Sequence, residues 1–204
     1  MQIVCLDLEG VLVPEIWIAF AERTGIPELR RTTRDEPDYD RLMQGRLSIL
    51  RRHGLGLPDI QRVIAAMGPE PGARAFLDAL RQRYQVVILS DTFYEFAMPL
   101  MAQLGMPTLL CHRIEADAQG FVSAYHLRLP EQKRAAVQAF KALQFRVIAA
   151  GDSYNDTAML REAHAGILFR PPANVLDQFP EFPAVQDYPG LRAAIDAAAA
   201  RLGG

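Results

Sequence analysis

Three short apolar runs, Ile3-Val4-Cys5-Leu6, Val86-Val87-Ile88-Leu89 and Val147-Ile148-Ala149-Ala150, set the frame of this chain. None of them alternates apolar with polar residues, so each predicts a strand covered on both faces. That is the situation of strands in a parallel sheet with helices on either side. Leu109-Leu110-Cys111 and residues 165–169 predict two further strands. Helical patterns at residues 73–83, 94–104, 131–143 and 154–164 fall between the runs. Strands alternating with helices of this length imply βαβ units and a doubly wound, mostly parallel α/β sheet.

Residues 14–71 interrupt the alternation. Pro14 suits the first turn of a helix ending at Gly25, and a second pattern runs from about Tyr39 to His53 before Gly54. A third opens at Pro58, with Ile60, Val63, Ile64 and Met67 on one stripe before Gly68. Helices without strands, placed directly after the first strand, predict an inserted helical cap. The expected division is a catalytic core of residues 1–13 and 72–204 and a cap of residues 14–71. The linkers fall near Val13-Pro14 and Pro69-Glu70-Pro71. A chain of 204 residues exceeds the roughly 150 of a usual domain, and the cap accounts for the excess.

With 22 basic against 24 acidic residues, the net charge of −2 offers no broad basic surface for nucleic acid. Asp7, Glu9 and Glu15 break the first apolar stretch, which therefore predicts no signal peptide. The longest uncharged stretch, residues 96–112, contains Pro99, Gln103, Gly105 and Pro107 and is too polar for a membrane span. Cys5 and Cys111 lie in apolar runs and read as buried thiols. His53, His112, His126 and His164 have no zinc-ligand spacing. The expectation is a soluble cytoplasmic protein; oligomeric state is not legible.

Each apolar run ends in a polar group: Asp7, Ser90, and Gly151-Asp152. Open α/β sheets bind ligands beyond the carboxyl ends of their strands, so these groups share one rim. Two carboxylates there repel each other, and a hard cation such as Mg2+ relieves the repulsion. In Gly151-Asp152-Ser153-Tyr154-Asn155-Asp156, Ser153 and Asp156 suit a capping box, which leaves Asp152 and Asn155 free for function.

Asp7-Leu8-Glu9-Gly10-Val11, Ser90, Lys133, and Gly151-Asp152 through Asp156, in that order, resemble the motifs of the haloacid dehalogenase-like phosphohydrolases. The helical cap resembles their phosphoserine phosphatase branch. Asp7-Leu8-Glu9-Gly10-Val11-Leu12-Val13-Pro14-Glu15 and Ile88-Leu89-Ser90-Asp91-Thr92-Phe93-Tyr94-Glu95-Phe96 are similar to members that also transfer the phosphoryl group to homoserine. The resemblance implies Asp7 as nucleophile and Glu9 as general acid and base. It implies one Mg2+ held by Asp7, the Glu9 backbone carbonyl and Asp152, and phosphate contacts from Ser90 and the Asp91 amide. Lys133 would neutralise phosphoryl charge, Asn155 would contact substrate, and Asp156 would bond Lys133 or a metal-bound water. By composition Arg134 competes with Lys133, and only the resemblance selects the lysine. The substrate class implied is phosphoserine, with homoserine as acceptor.

Arg46 has Leu42, Met43, Ile49 and Leu50 one helical turn away on either side. A guanidinium on an apolar stripe needs a partner: an acidic residue, water at the end of a snorkelling stem, or a substrate carboxylate. Glu15 could take a substrate ammonium or simply suit a helix's first turn. The chain departs from the branch in carrying Glu9 where Asp is usual and Asp91-Thr92 where Gly-Gly follows the serine. By the resemblance both changes stand where an acceptor would enter, and the expectation is that they favour a bulkier alcohol, such as homoserine, over water alone. Other readings are a phosphatase of another small ester, such as a sugar phosphate, or a receiver-like domain phosphorylated on Asp7.

Overall fold

The computed structural model describes residues 1–32, 35, 36 and 38–203. A seven-stranded sheet runs in the order β4-β3-β2-β1-β5-β6-β7. Its strands are β1 (Gln2–Leu6), β2 (Gln85–Phe93), β3 (Thr108–Ala116), β4 (Val122–His126), β5 (Arg146–Gly151), β6 (Ala165–Phe169) and β7 (Ala184–Val185). All neighbours pair parallel except β3 with β4. The three apolar runs are the central strands. Cys5 stands level with Val87 on one side and Ala149 on the other, and Leu6 with Ile88 and Ala150. This common register delivers the polar groups at the strand ends to one rim.

Side-chain alternation splits the central strands between two apolar layers. Val4, Leu6, Ile88, Ile148 and Ala150 face one core, and Ile3, Cys5, Val87, Leu89, Val147 and Ala149 the other. Helices α4 (Ala73–Arg81), α5 (Tyr94–Gln103) and α9 (Tyr188–Leu202) cover the first face, and α6 (Gln132–Ala142) and α7 (Thr157–Glu162) the second. In α4, Ala73, Phe76, Leu77 and Leu80 are the buried stripe. A short helix, α8 (Ala173–Gln178), follows β6. Cys5 and Cys111 are buried free thiols.

Between β1 and α4 stand α1 (Ile16–Thr24), a 3-10 turn at Pro27–Arg30, α2 (Tyr39–Arg52) and α3 (Leu57–Ala65). Asp38 caps α2 by accepting from the Arg41 amide at 3.1 Å. The β3–β4 hairpin holds this group: Leu57 N–H donates to the Gly120 carbonyl at 2.7 Å, and Tyr125 OH donates to Asp40. The expected single helix at 154–164 is instead a 3-10 turn, Tyr154–Asp156, followed by α7. The strand expected at Leu109-Leu110-Cys111 extends to Ala116. Among the described residues, no helix is long and apolar enough to cross a membrane.

Candidate active site

Beyond β1 the chain places Asp7 at the rim, with its N–H donating to the Ala150 carbonyl of β5 at 2.9 Å. Asp7 is 3% exposed, and its Oδ1 accepts from the Leu8 amide at 2.7 Å and from Lys133 Nζ at 2.9 Å. Lys133, in the first turn of α6, is 4% exposed and also donates to Asp156 Oδ1 at 2.8 Å. Arg134 turns outward to Glu131 and Glu162. The structure therefore separates two neighbours that composition could not. Asp156 is fully buried, and its other oxygen accepts from the Asp152 and Ser153 amides at 3.0 and 3.1 Å. The capping box is present, and the same carboxylate that closes it anchors Lys133.

Asp7, Asp152 and Asp156 each bring an oxygen within 4.8 Å of the others. Burial, and then the charge of Asp156, push the Asp7 carboxyl well above its usual range against the pull of Lys133. Burial and Asp156 likewise raise Asp152 to about 7. Asp152 Oδ1 is buried with no hydrogen-bond partner. The loop after β1 presses against it: a Cβ on Gly10, whose φ is +73°, would lie 2.5 Å from the Asp152 carboxyl carbon. A buried, orphaned oxygen facing a second carboxylate fits a hard divalent cation. Both oxygens of Asp156 are already engaged, so Asp7 and Asp152 are the pair with donor capacity to spare.

Ser90 is 1% exposed and lies where the β2–β3 register shifts, between Leu89 and Phe93. Its Oγ accepts from the Thr92 amide at 3.3 Å. The Asp91 carboxylate accepts from Gln132 Nε2 and Asn155 Nδ2, both at 3.1 Å, and lies 3.6 Å from Lys133 Nζ. Burial works to raise Asp91, but Lys133, Gln132, Asn155 and His112 prevail and hold it below the usual range.

The inserted helices form the opposite wall. Glu9 Oε2 accepts from the Ile16 amide at the start of α1 at 2.9 Å. Burial, and then the nearby Glu15, raise Glu9 to about 8. Arg46 of α2 is buried; it donates to the Arg31 carbonyl at 2.7 Å and lies 4.3 Å from the Trp17 ring centroid. Its Nε has no partner, and it forms no ion pair among the described residues. Burial lowers its pKa to about 10. A cavity of about 130 Å³ joins these groups, lined by Asp7, Glu9, Glu15, Arg46, Ser90 and Lys133. All the expected site residues except Asp152 and Asp156 line it or an adjoining groove; those two adjoin Asp7, and Asp156 bonds Lys133.

The family of haloacid dehalogenase-like hydrolases matches residues 1–164. The chain belongs to the haloacid dehalogenase-like hydrolases. Within this family it is similar to Phosphoserine phosphatase ThrH of Pseudomonas aeruginosa, 66% identical over 192 residues that make up 94% of each chain. A phosphoserine phosphatase of Pseudomonas syringae pv. tomato is 64% identical, with 94% of this chain and 81% of that one covered. A solved phospho-aspartyl intermediate analogue of phosphoserine phosphatase shares the fold, with a TM-score of 0.75 at 18% identity over 96% and 98% of the two chains.

This hydrolase site also contains residues the sequence did not single out. Gln132 is 3% exposed and donates to the Ser90 carbonyl as well as to Asp91, so it braces the turn after β2. His112 packs beside Asp91 because β3 runs past its apolar stretch. Tyr39 lines the cavity from the first turn of α2. Its spacing of seven residues from Arg46, two helical turns, was a usable signal.

Proposed function

We propose that this chain is a Mg2+-dependent phosphoserine phosphatase of cytoplasmic amino-acid metabolism that works through an aspartyl-phosphate on Asp7 and also passes the phosphoryl group to homoserine. The observation that carries the reading is the cavity itself. It is lined both by a buried carboxylate bonded to a buried lysine and by a buried guanidinium that has no acidic partner among the described residues. The two groups suit the phosphate and carboxylate of one small amino-acid ester.

Asp7 attacks phosphorus while Glu9, raised to about 8 and so protonated at neutral pH, gives its proton to the departing alkoxide. Ser90 Oγ and the Asp91 amide hold phosphoryl oxygens, Asn155 adds a contact from the opposite strand end, and Lys133 offsets the growing charge. Asp156 positions Lys133. Asp7, Asp152 and the Glu9 backbone carbonyl hold one Mg2+, which offsets the carboxylate charge that a phosphate dianion meets here. Glu9 then takes a proton from water or from the acceptor alcohol as the acyl phosphate is cleaved. Residues 14–71 act as a lid on the linkers near Val13 and Pro71, with Arg46 binding the substrate carboxylate and Glu15 its ammonium. The longer Glu9 and the Asp91-Thr92 pair leave the acceptor side suited to an alcohol larger than water.

The test compares phosphoserine with phosphoethanolamine, which lacks the carboxylate. Wild type prefers phosphoserine in kcat/KM, and Arg46→Ala cuts that preference by roughly tenfold to a hundredfold. A preference unchanged by the substitution, or better turnover of a sugar phosphate, contradicts the assigned substrate.

A further inference from the structure

Asp91 is a carboxylate placed beside a phosphoryl site, where its charge opposes substrate binding. Lys133, 3.6 Å away, already faces Asp7 at 2.9 Å and Asp156 at 2.8 Å. The other donors to Asp91 are the neutral amides of Gln132 and Asn155. Burial lowers the pKa of His112, which favours the neutral ring. Its Nδ1 accepts from the Arg128 amide at 3.0 Å, so the neutral ring carries its proton on Nε2, 3.7 Å from Asp91. Among the described residues, Asp91 thus shares the lysine within ion-pair distance with Asp7 and Asp156.

It also stands between two spaces. Asp91, Glu15, Tyr39 and Asn155 line both the inner cavity and a groove of about 800 Å³. The groove is lined by the apolar side chains of Ile18, Leu127, Leu129 and Ala158 and also by Arg134. Leu127 and Leu129 are exposed there. A carboxylate shared with the inner cavity, an arginine and apolar side chains in one groove match a small zwitterion.

We propose that this groove is a separate acceptor subsite for an alcohol carrying an ammonium group, with the ammonium on Asp91, distinct from the donor's seat between Arg46 and Glu15. The inference rests on the phosphotransferase reading above. After the first alcohol has left, the acceptor hydroxyl oxygen bonds to phosphorus and the bond from phosphorus to Asp7 Oδ breaks. The hydroxyl proton passes to Glu9, and Asp7 is returned as a carboxylate.

The experiment measures, with phosphoserine as donor, the ratio of phosphorylated acceptor to free phosphate for homoserine and for 4-hydroxybutanoate, the same alcohol without the ammonium. Wild type favours homoserine by about tenfold or more. Asp91→Asn removes most of that preference, and Glu15→Gln keeps it. Leu129→Trp, which narrows the groove from an exposed position, lowers the homoserine ratio on the order of tenfold. Each ratio is taken within one enzyme, so a general loss of activity does not mimic the result. A preference that survives Asp91→Asn, or that Glu15→Gln alone removes, overturns the separate subsite and leaves the transferase reading standing. An unchanged ratio in Leu129→Trp overturns it too. If wild type phosphorylates neither alcohol, the transferase reading falls and the subsite with it.

Discussion

Burial sets the chemistry of individual side chains here. Glu9 and Glu15 crowd one another, and burial together with that repulsion holds Glu9 at about 8. A general acid works only while protonated, so kcat/KM falls as pH rises through its pKa. Glu15→Gln removes a neighbouring negative charge, so the pKa of Glu9 drops toward the ordinary carboxyl range and the alkaline limb moves to lower pH. A pH profile of kcat/KM for the two enzymes checks this; an unmoved limb means Glu9 is not the group being titrated. Lys133 and Arg134 show what a sequence hides at this scale. Both open the same helix, and only the packing of α6 against β2 and β5 decides that Lys133 reaches Asp7 while Arg134 reaches Glu162.

Among the elements, strands that are apolar throughout were legible because burial on both faces leaves no polar position. The strand-end groups Asp7, Ser90 and Asp152 were legible for the same reason. β4 was not: Val122-Ser123-Ala124-Tyr125-His126 lies at the sheet edge with Val122 alone buried. α9 hides its stripe in an alanine-rich run, with Leu191, Ile195, Ala198 and Ala199 buried. The turn at Tyr154–Asp156 departs from the expected helix because Asp156 bends back onto the Asp152 and Ser153 amides, so the capping box closes on a 3-10 turn before α7 begins. The bracing of Asp91 by Gln132 and Asn155 joins residues far apart in sequence and leaves no local pattern.

Two predictions belong to elements. Gly10→Ala in the loop after β1 places a Cβ against the Asp152 carboxyl at a left-handed φ. It should destabilise the protein by about 1–2 kcal/mol and weaken Mg2+ activation, read by thermal melts and Mg2+ titration. Tyr125 of the hairpin bonds Asp40 and packs on Tyr39, with ring centroids 5.9 Å apart. Because α2 carries Arg46, Tyr125→Ala should raise the KM for phosphoserine roughly three- to tenfold with a smaller change in kcat. An equal fall in both substrates of the phosphoserine and phosphoethanolamine pair would place the effect elsewhere.

Across the whole molecule, the parallel register turns three separate strands into one acidic rim on a chain of net charge −2. Near-neutral bulk charge therefore conceals a site with a strong local need for cations. Mg2+ at a hundred times its dissociation constant should stabilise the fold by about 2.7 kcal/mol. The rise in Tm should be lost in Asp152→Asn, which is measurable without any substrate. The central claim is that phosphoserine is cleaved through a phosphoryl group carried on Asp7. Rapid acid quench of the enzyme with phosphate-labelled phosphoserine and Mg2+ should trap label on the protein as an acyl phosphate. Asp7→Asn should carry none and release phosphate at least about a thousandfold more slowly. Label retained by Asp7→Asn, or phosphate release at the wild-type rate, would contradict the account.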